Sequence, residues 1–226
     1  MCFAPWVSLA TAIIEFIVAT FILIRYRNYV VPVFSAVLVY VLGLYQFSEF
    51  MLCFTASPIF WATIGFIVYT FLPAIGLHMT FRFIGARFAK WTLYVLPVGF
   101  SLAALLNNNF VWEATCFKVY VIVKSVLFSN GNNVFTIIYL LYYFGFIALM
   151  FFILFKHLND RDLSKIYLLW LIVGIITLAA PIFLIVIFPT LYSAFPSIYC
   201  EFGLGLTIAA VASSELYSRK RKKEKF

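Results

Sequence analysis

The chain has 226 residues, 65% of them hydrophobic and 11% charged, with a mean hydropathy of +1.08. Soluble domains carry about a quarter charged residues, so a soluble globular fold is excluded and one integral membrane bundle is implied. The net charge of +8 lies in short loops and a tail beside apolar stretches, which points to topology and to anionic lipid headgroups as partner, with no nucleic acid.

A spanning helix needs about 20 apolar residues. Seven segments qualify: 6–24, 30–53, 58–81, 91–106, 131–155, 164–188 and 191–216. The expected fold class is all-α, a polytopic bundle of seven transmembrane helices. It forms a single domain over 1–216, with an outer cap at 107–130 and a basic tail at 217–226. Fourteen of the sixteen Lys and Arg residues fall in alternate gaps (Arg25 and Arg27; Arg82, Arg87 and Lys90; Lys156, Arg161 and Lys165; the tail), and only Lys118 and Lys124 lie opposite. By the positive-inside rule the N-terminus is expected outside and the C-terminus in the cytoplasm.

The first span, MCFAPWVSLATAIIEF onward, has no basic region before its apolar run, so it reads as a retained helix and not as a cleaved signal peptide. Counting about 1.5 Å per residue, Glu15 falls near the midplane. A charged group there is costly and is a candidate site by default. Its plain reading is a protonated structural carboxyl; its functional reading is a proton relay. The second span carries Gln46, Glu49 and Cys53 one turn apart near the outer surface. The third holds Pro73, which should kink the helix, and His78 near its inner end. The fourth is short and contains Pro97 and Gly99, but without it the later loops would swap sides and the charge asymmetry would collapse. The connection 107–130, with its core KVYVIVK, is rich in β-branched and aromatic residues. It predicts an ordered outer cap, formed as a strand, a hairpin or a surface helix. Pro181 should kink the sixth span. The seventh opens with Cys200 and Glu201, and its Gly205, Ala209 and Ser213 form a small-residue face for helix contact. It has no lysine for a retinal Schiff base, and two histidines in the whole chain exclude a His-based zinc centre. Trp6, Trp61, Trp91 and Trp112 sit where spans meet loops, as interface anchors do.

Cys2, Cys53, Cys116 and Cys200 all map to the outer side, where an oxidising compartment favours two structural disulfides. The expected pairs are Cys2–Cys200 and Cys53–Cys116. A thiol oxidoreductase would need a close pair with one exposed sulfur, and its usual C-x-x-C spacing is missing. A thiolate and carboxylate metal site is chemically possible but lacks clustered ligands, so neither metal nor cofactor is expected. Glu49, Glu201 and the cysteines share one depth and form the leading binding candidate.

The start MCF with Ser8, the segment YQFSEF, the proline in YTFLPAIGL and the segment IYCEF together resemble a group of uncharacterised bacterial seven-helix membrane proteins. Those begin Met-Cys-Phe-Ser, carry Gln-x-x-Glu-Gly on the second helix and Trp-Cys-Phe near the start of the last. This chain has Ala4 in place of the serine and Phe50 in place of the glycine. The resemblance implies that Cys2, Glu49 and Cys200 belong together, and a bacterial inner membrane as location. The stretch FWATIGFIVYTFLPAIGLHMTFRF also resembles the third helix of seven-helix sensor modules of bacterial histidine kinases. With no kinase after RKRKKEKF, a sensor role implies a separate cytoplasmic signalling partner.

The expected function is a small receptor-like or sensory protein with an outer-leaflet site, not an enzyme. The alternative is a proton- or ion-coupled transporter using Glu15 and Glu49; a quinone-linked thiol oxidoreductase is a third class. A carrier needs a polar path to both faces, whereas a binding module needs one pocket.

Overall fold

The computed structural model describes residues 5–86, 91–117, 121–127, 134–159, 163–187 and 195–223, without the side chains of 178, 180–182, 184–185, 195–202 and 222–223. In chain order the helices are α1 (Pro5–Tyr26), α2 (Val30–Phe54), α3 (Pro58–Thr70), α4 (Leu72–Phe83), α5 (Thr92–Leu106), α6 (Val134–Lys156), α7 (Ser164–Ile187) and α8 (Phe195–Lys223). Between α5 and α6 lies an antiparallel hairpin of β1 (Val111–Cys116) and β2 (Val121–Ser125). The fold is mostly helical. Four helices, Pro5–Tyr26, Val30–Phe54, Pro58–Phe83 taken across its break, and Val134–Lys156, are long and apolar enough to cross a membrane.

The distribution of polarity is inverted relative to a soluble bundle. Large apolar side chains cover the outside, among them Ile13, Ile17 and Ile24 of α1 and Leu141, Phe152 and Phe155 of α6. Inside, Glu15, Gln46, Thr70, Ser213 and Ser214 are wholly buried. Apolar surroundings offer no water to a backbone or hydroxyl group, so each must find a partner within the chain. Hydroxyls do so by bonding back to the preceding turn: Thr80 to Gly76 O at 2.9 Å, Ser101 to Pro97 O at 2.7 Å, Ser214 to Ala210 O at 2.6 Å. In α5 the hydroxyl of Ser101 thus bonds the carbonyl of the helix's internal proline.

Pro73 does more than kink the third span. The helix stops at Thr70 and restarts at Leu72, with the proline in the first turn of α4, where its missing N–H is harmless. The carbonyl of Thr70 accepts the hydroxyl of Tyr142 at 2.6 Å, and its side chain shares a hydrogen with the Tyr139 hydroxyl at 3.1 Å. The break therefore anchors α6. At the other end of α4, Gly85 takes a left-handed φ of 67°, and Ala86 N–H returns to Phe81 O at 3.0 Å. This is a glycine-terminated cap of the Schellman type, which ends the helix before the basic loop.

Two large cores dominate the described residues. The first, at the end where α8 runs into the basic tail, is built on Ile22, Val31, Val39, Met79, Leu154 and Tyr167. Here Tyr26 donates to Glu215, which also pairs with Arg219 at 2.7 Å, tying α1 to α8. The second, at the hairpin end, is aromatic: Phe66, Phe100, Phe110, Tyr139 and Tyr142, with Leu52 and Val111. Among the alternatives the connection left open, the chain adopts the hairpin, with a register shift between Val111 and Glu113. Lys124 and Glu113 meet across it at 2.7 Å on an exposed face, worth at most about 1 kcal/mol. The covalent tie does more. Cys53, at the end of α2, is bonded to Cys116 of β1, with Cα atoms 5.4 Å apart.

Candidate functional site

The interrupted third span, α6 and α2 enclose a chamber of about 320 Å³, within the range of small-molecule sites. Its walls are Leu38, Leu42 and Gln46 of α2, Pro73 and Met79 of α4, Tyr139, Tyr143 and Phe151 of α6, Trp170 and Gly174 of α7, and Leu206 of α8. It begins beneath Leu127 and Thr136, next to the hairpin, and descends to Met79, Met150 and Trp170. There Leu38, Met79 and Trp170 belong both to its walls and to the tail-end core. The walls are mainly apolar, and the polar groups converge: the Gln46 amide and the rings of Tyr45, Tyr69, Tyr139 and Tyr143. The four tyrosines touch one another: Tyr69 lies 5.8, 6.5 and 6.1 Å from Tyr45, Tyr139 and Tyr143, ring centre to ring centre.

A second chamber of about 50 Å³ lies under the hairpin and is lined by Glu49, Tyr45, Trp61, Phe66, Tyr69 and Phe110, among others. Tyr45 and Tyr69 belong to both chambers. Their rings meet edge to face at 5.8 Å and form the wall between them. Glu49 is 7% exposed and interacts with Tyr45. Gln46 and Glu49, one turn apart on α2, thus face different spaces.

Glu15 has a third environment. It is fully buried, and a Cβ on Gly203 would stand 2.7 Å from its Oε1 and 3.4 Å from Gln46 Nε2. The absence of a side chain at 203 is what lets α8 approach the carboxyl. One polar neighbour is the Thr207 hydroxyl, but its hydrogen goes to Gly203 O at 3.0 Å. Neither oxygen of Glu15 has a hydrogen bond of good geometry among the described residues. Gln46 is the link, with its amide lining the large chamber and its nitrogen close to Gly203 and Glu15.

The predicted residues therefore separate into groups. Glu15 and Gln46 come together, and Glu49 joins the hairpin and the Cys53–Cys116 bridge. Pro73 lines the large chamber. Cys2 lies outside the described residues, as do the side chains of Cys200, Glu201 and Pro181, so the Cys2–Cys200 pair and the Glu201 part of the outer cluster lie outside them too. The Cys53–Cys116 pair meets two conditions of a thiol enzyme, proximity and an exposed Cys116. Its members are 63 residues apart on two elements, without the close spacing that tunes a thiolate. His78 bonds Tyr94 through Nδ1 at 2.9 Å, and no group of three metal-ligating side chains exists among the described residues. The small-residue face of the last helix is occupied internally, Ala209 and Ser213 being fully buried.

What the sequence reading missed is the tyrosine set. The run YLLYYF puts Tyr139, Tyr142 and Tyr143 on one side of α6, well inside a span and away from the interface where tyrosines usually sit; that displacement was the available signal. Trp61, read as an interface anchor, lines the Glu49 chamber. Searches of family models, curated proteins and solved structures find no match to the chain.

Proposed function

We propose that this protein is a seven-span receptor-like membrane protein, N-terminus outside and tail in the cytoplasm, that binds an apolar small molecule in the large chamber. The observation that carries this reading is one space of about 320 Å³ with apolar walls and a few convergent polar groups, the usual make-up of a ligand site. Orientation rests on the fourteen-to-two charge bias, which makes the hairpin end the outer one. The bacterial inner membrane and a separate signalling partner rest on the resemblances alone.

A carrier is the second reading, because a buried carboxyl that makes no hydrogen bond of good geometry among the described residues sits beside Gln46. Against it, the chamber's inner end is lined by Met79 and Trp170 of the apolar tail-end core, and none of its described lining residues is charged. The deciding experiment titrates 1-hexanol into the protein in lipid nanodiscs, with empty nanodiscs as reference. Saturable binding, weakened at least tenfold by Leu206→Trp, supports the chamber. Partition that does not saturate, or that Leu206→Trp leaves unchanged in a folded protein, sinks it. Orientation is checked by reporters fused after Phe226 and at Asn107–Asn109; the same side for both refutes seven spans.

A further inference from the structure

The large chamber is long for its volume. Its lining on α6 runs from Thr136 to Phe151, a rise of about 22 Å at 1.5 Å per residue, whereas a sphere of about 320 Å³ would be only about 8 Å across. A compact molecule would fill one level of such a space and leave the rest void, and atoms that face a void forfeit their dispersion contacts. A flexible linear chain can fill the whole length.

Polarity is sorted by depth, in the same sense on every helix. Toward the hairpin lie Gln46 on α2, Tyr69 at the break, Tyr139 and Tyr143 on α6 and Thr177 on α7; deeper on the same elements lie Leu42, Met79, Met150 and Gly174. The N–H of Trp170 at the bottom is itself enclosed. The walls therefore match a hydrogen-bonding group at one end of a ligand and hydrocarbon along the rest. No Asp, Glu, Lys, Arg or His is among the described lining residues, and burying an unpaired charge is costly, so the polar end is neutral. At the top Leu127 and Thr136 are 7% and 6% exposed, while Leu140 of the chamber wall is 45% exposed on the apolar outside of α6. The way in is thus from the side, through lipid. A single-chain molecule can enter there, whereas a phospholipid would have to drag its charged headgroup below the top of α6.

We propose that the large chamber holds one linear alkyl chain with a neutral polar end, the end at Tyr139 and Tyr143 and the tail running to Met79 and Trp170. This deepens the binding reading given above and rests on it. Tyr139 to Phe151 rises about 18 Å, and an extended chain with ordinary C–C bonds advances about 1.3 Å per carbon, so the chain has about fourteen carbons. The test uses the full chain in nanodiscs, with empty nanodiscs as reference and every probe at the same mole fraction of lipid. Occupancy by 1-tetradecanol should be saturable and at least fivefold that of cyclotetradecanol, which has the same carbon count in a ring. Equal occupancy overturns the proposal while leaving the chamber a site, as does saturable 1-hexanol with no saturable 1-tetradecanol. A 1-tetradecanol bearing a diazirine near its methyl end should label Met79, Met150 or Trp170 on illumination; labelling of Tyr139 and Tyr143 instead overturns the orientation. A phosphatidylcholine with the diazirine at the end of one tail should not label those inner residues. If it labels them as strongly as the alcohol, the occupant is a tail of the bilayer's own lipid and the proposal falls. In Gly76→Leu the new side chain would start 3.3 Å from Met150 Sδ, one turn above Met79, so the best chain should shorten from about fourteen carbons to about ten. An unchanged optimum in the folded variant also overturns the proposal, and the comparison of chain with ring decides if the variant does not fold. No saturable binding of any alcohol removes both the chain site and the chamber reading beneath it.

Discussion

The two ends of the bundle are built from different side chains, and the difference locates the candidate function. At the tail end, flexible and branched aliphatics such as Ile22, Val39, Met79 and Leu154 interdigitate around Tyr167. At the hairpin end five of the eleven buried core residues are rings, Phe66, Phe100, Phe110, Tyr139 and Tyr142, held in edge-to-face and tilted pairs such as Phe100–Tyr139 at 5.0 Å. Aliphatic side chains change rotamer to fill gaps. Flat rings fixed by their neighbours and by hydroxyl bonds to Thr70 leave space between them. The hairpin end frames the small chamber, and the large one runs from beneath it to Met79 and Trp170 at the edge of the tail-end core. Function sites are expected where packing is sacrificed to shape.

Equal truncations at the two ends are the strongest way to break that comparison. Leu154, 1% exposed and lining neither chamber, should cost about 2–5 kcal/mol as Leu154→Ala. Leu42, 6% exposed and already facing the large chamber, should cost clearly less, because one side of it has few partner atoms to lose. Thermal unfolding of both variants in the same detergent measures the gap. Equal losses would mean that the chamber wall is packed as tightly as the tail-end core.

The next effect belongs to the hairpin. The Cys53–Cys116 bridge closes a loop of 63 residues, and its loss as Cys53→Ser should cost about 2–4 kcal/mol. The damage should be local. Limited proteolysis should cut the hairpin while α1, α2 and α8 stay protected, and 1-hexanol affinity should fall because the roof of the chambers is loosened. Cleavage appearing equally in the tail-end helices would show that the two ends are not independent.

How far the sequence led differs between the ends for a physical reason. Helix positions were legible because an apolar run of spanning length admits one backbone solution in lipid, and so α1, α2 and α6 begin and end within a few residues of the expected spans. Glu15 was legible as an internal residue because a carboxylate in lipid is too costly to place elsewhere. The hairpin was legible only as an ordered cap, since KVYVIVK fits several folds. The chambers could not be read at all. They depend on how α3 and α4 meet at Thr70 and Leu72, and on which tyrosines of α6 bond that junction, contacts between segments tens of residues apart. Gln46 and Glu49 lie one turn apart on α2, yet Gln46 lines the large chamber and Glu49 the small one, which spacing alone does not reveal.

A smaller effect tests the seam where α8 meets α1 and α2. In Gly203→Ala the new Cβ would lie 2.7 Å from Glu15 Oε1, forcing the carboxyl or the helix to move at about 1–3 kcal/mol. Leu154 is on α6 and Gly203 on α8 against α1, so the losses from Gly203→Ala and Leu154→Ala should add with little excess. A neutral Gly203→Ala would mean that the approach of α8 is looser than the 2.7 Å contact demands.

The smallest expected effect is the most discriminating. Glu15→Gln keeps the length and shape of the side chain and removes only its ability to titrate. The acid makes no well-formed hydrogen bond among the described residues, so the amide gives up no bond that holds the fold, and stability should change by less than about 1 kcal/mol. Under the receptor reading, 1-hexanol affinity should also stay within about twofold, because Glu15 lies behind Gln46 and does not line the chamber. Under the carrier reading, the same substitution should leave binding in place and abolish proton movement coupled to it, measured as loss of an internal pH change that 1-hexanol, which carries no titratable group, produces in proteoliposomes and not in protein-free liposomes. Binding that collapses in folded Glu15→Gln would break the separation of chamber from carboxyl. Gln46 would then be transmitting the state of one to the other, and the two ends of the bundle would be joined by that single amide.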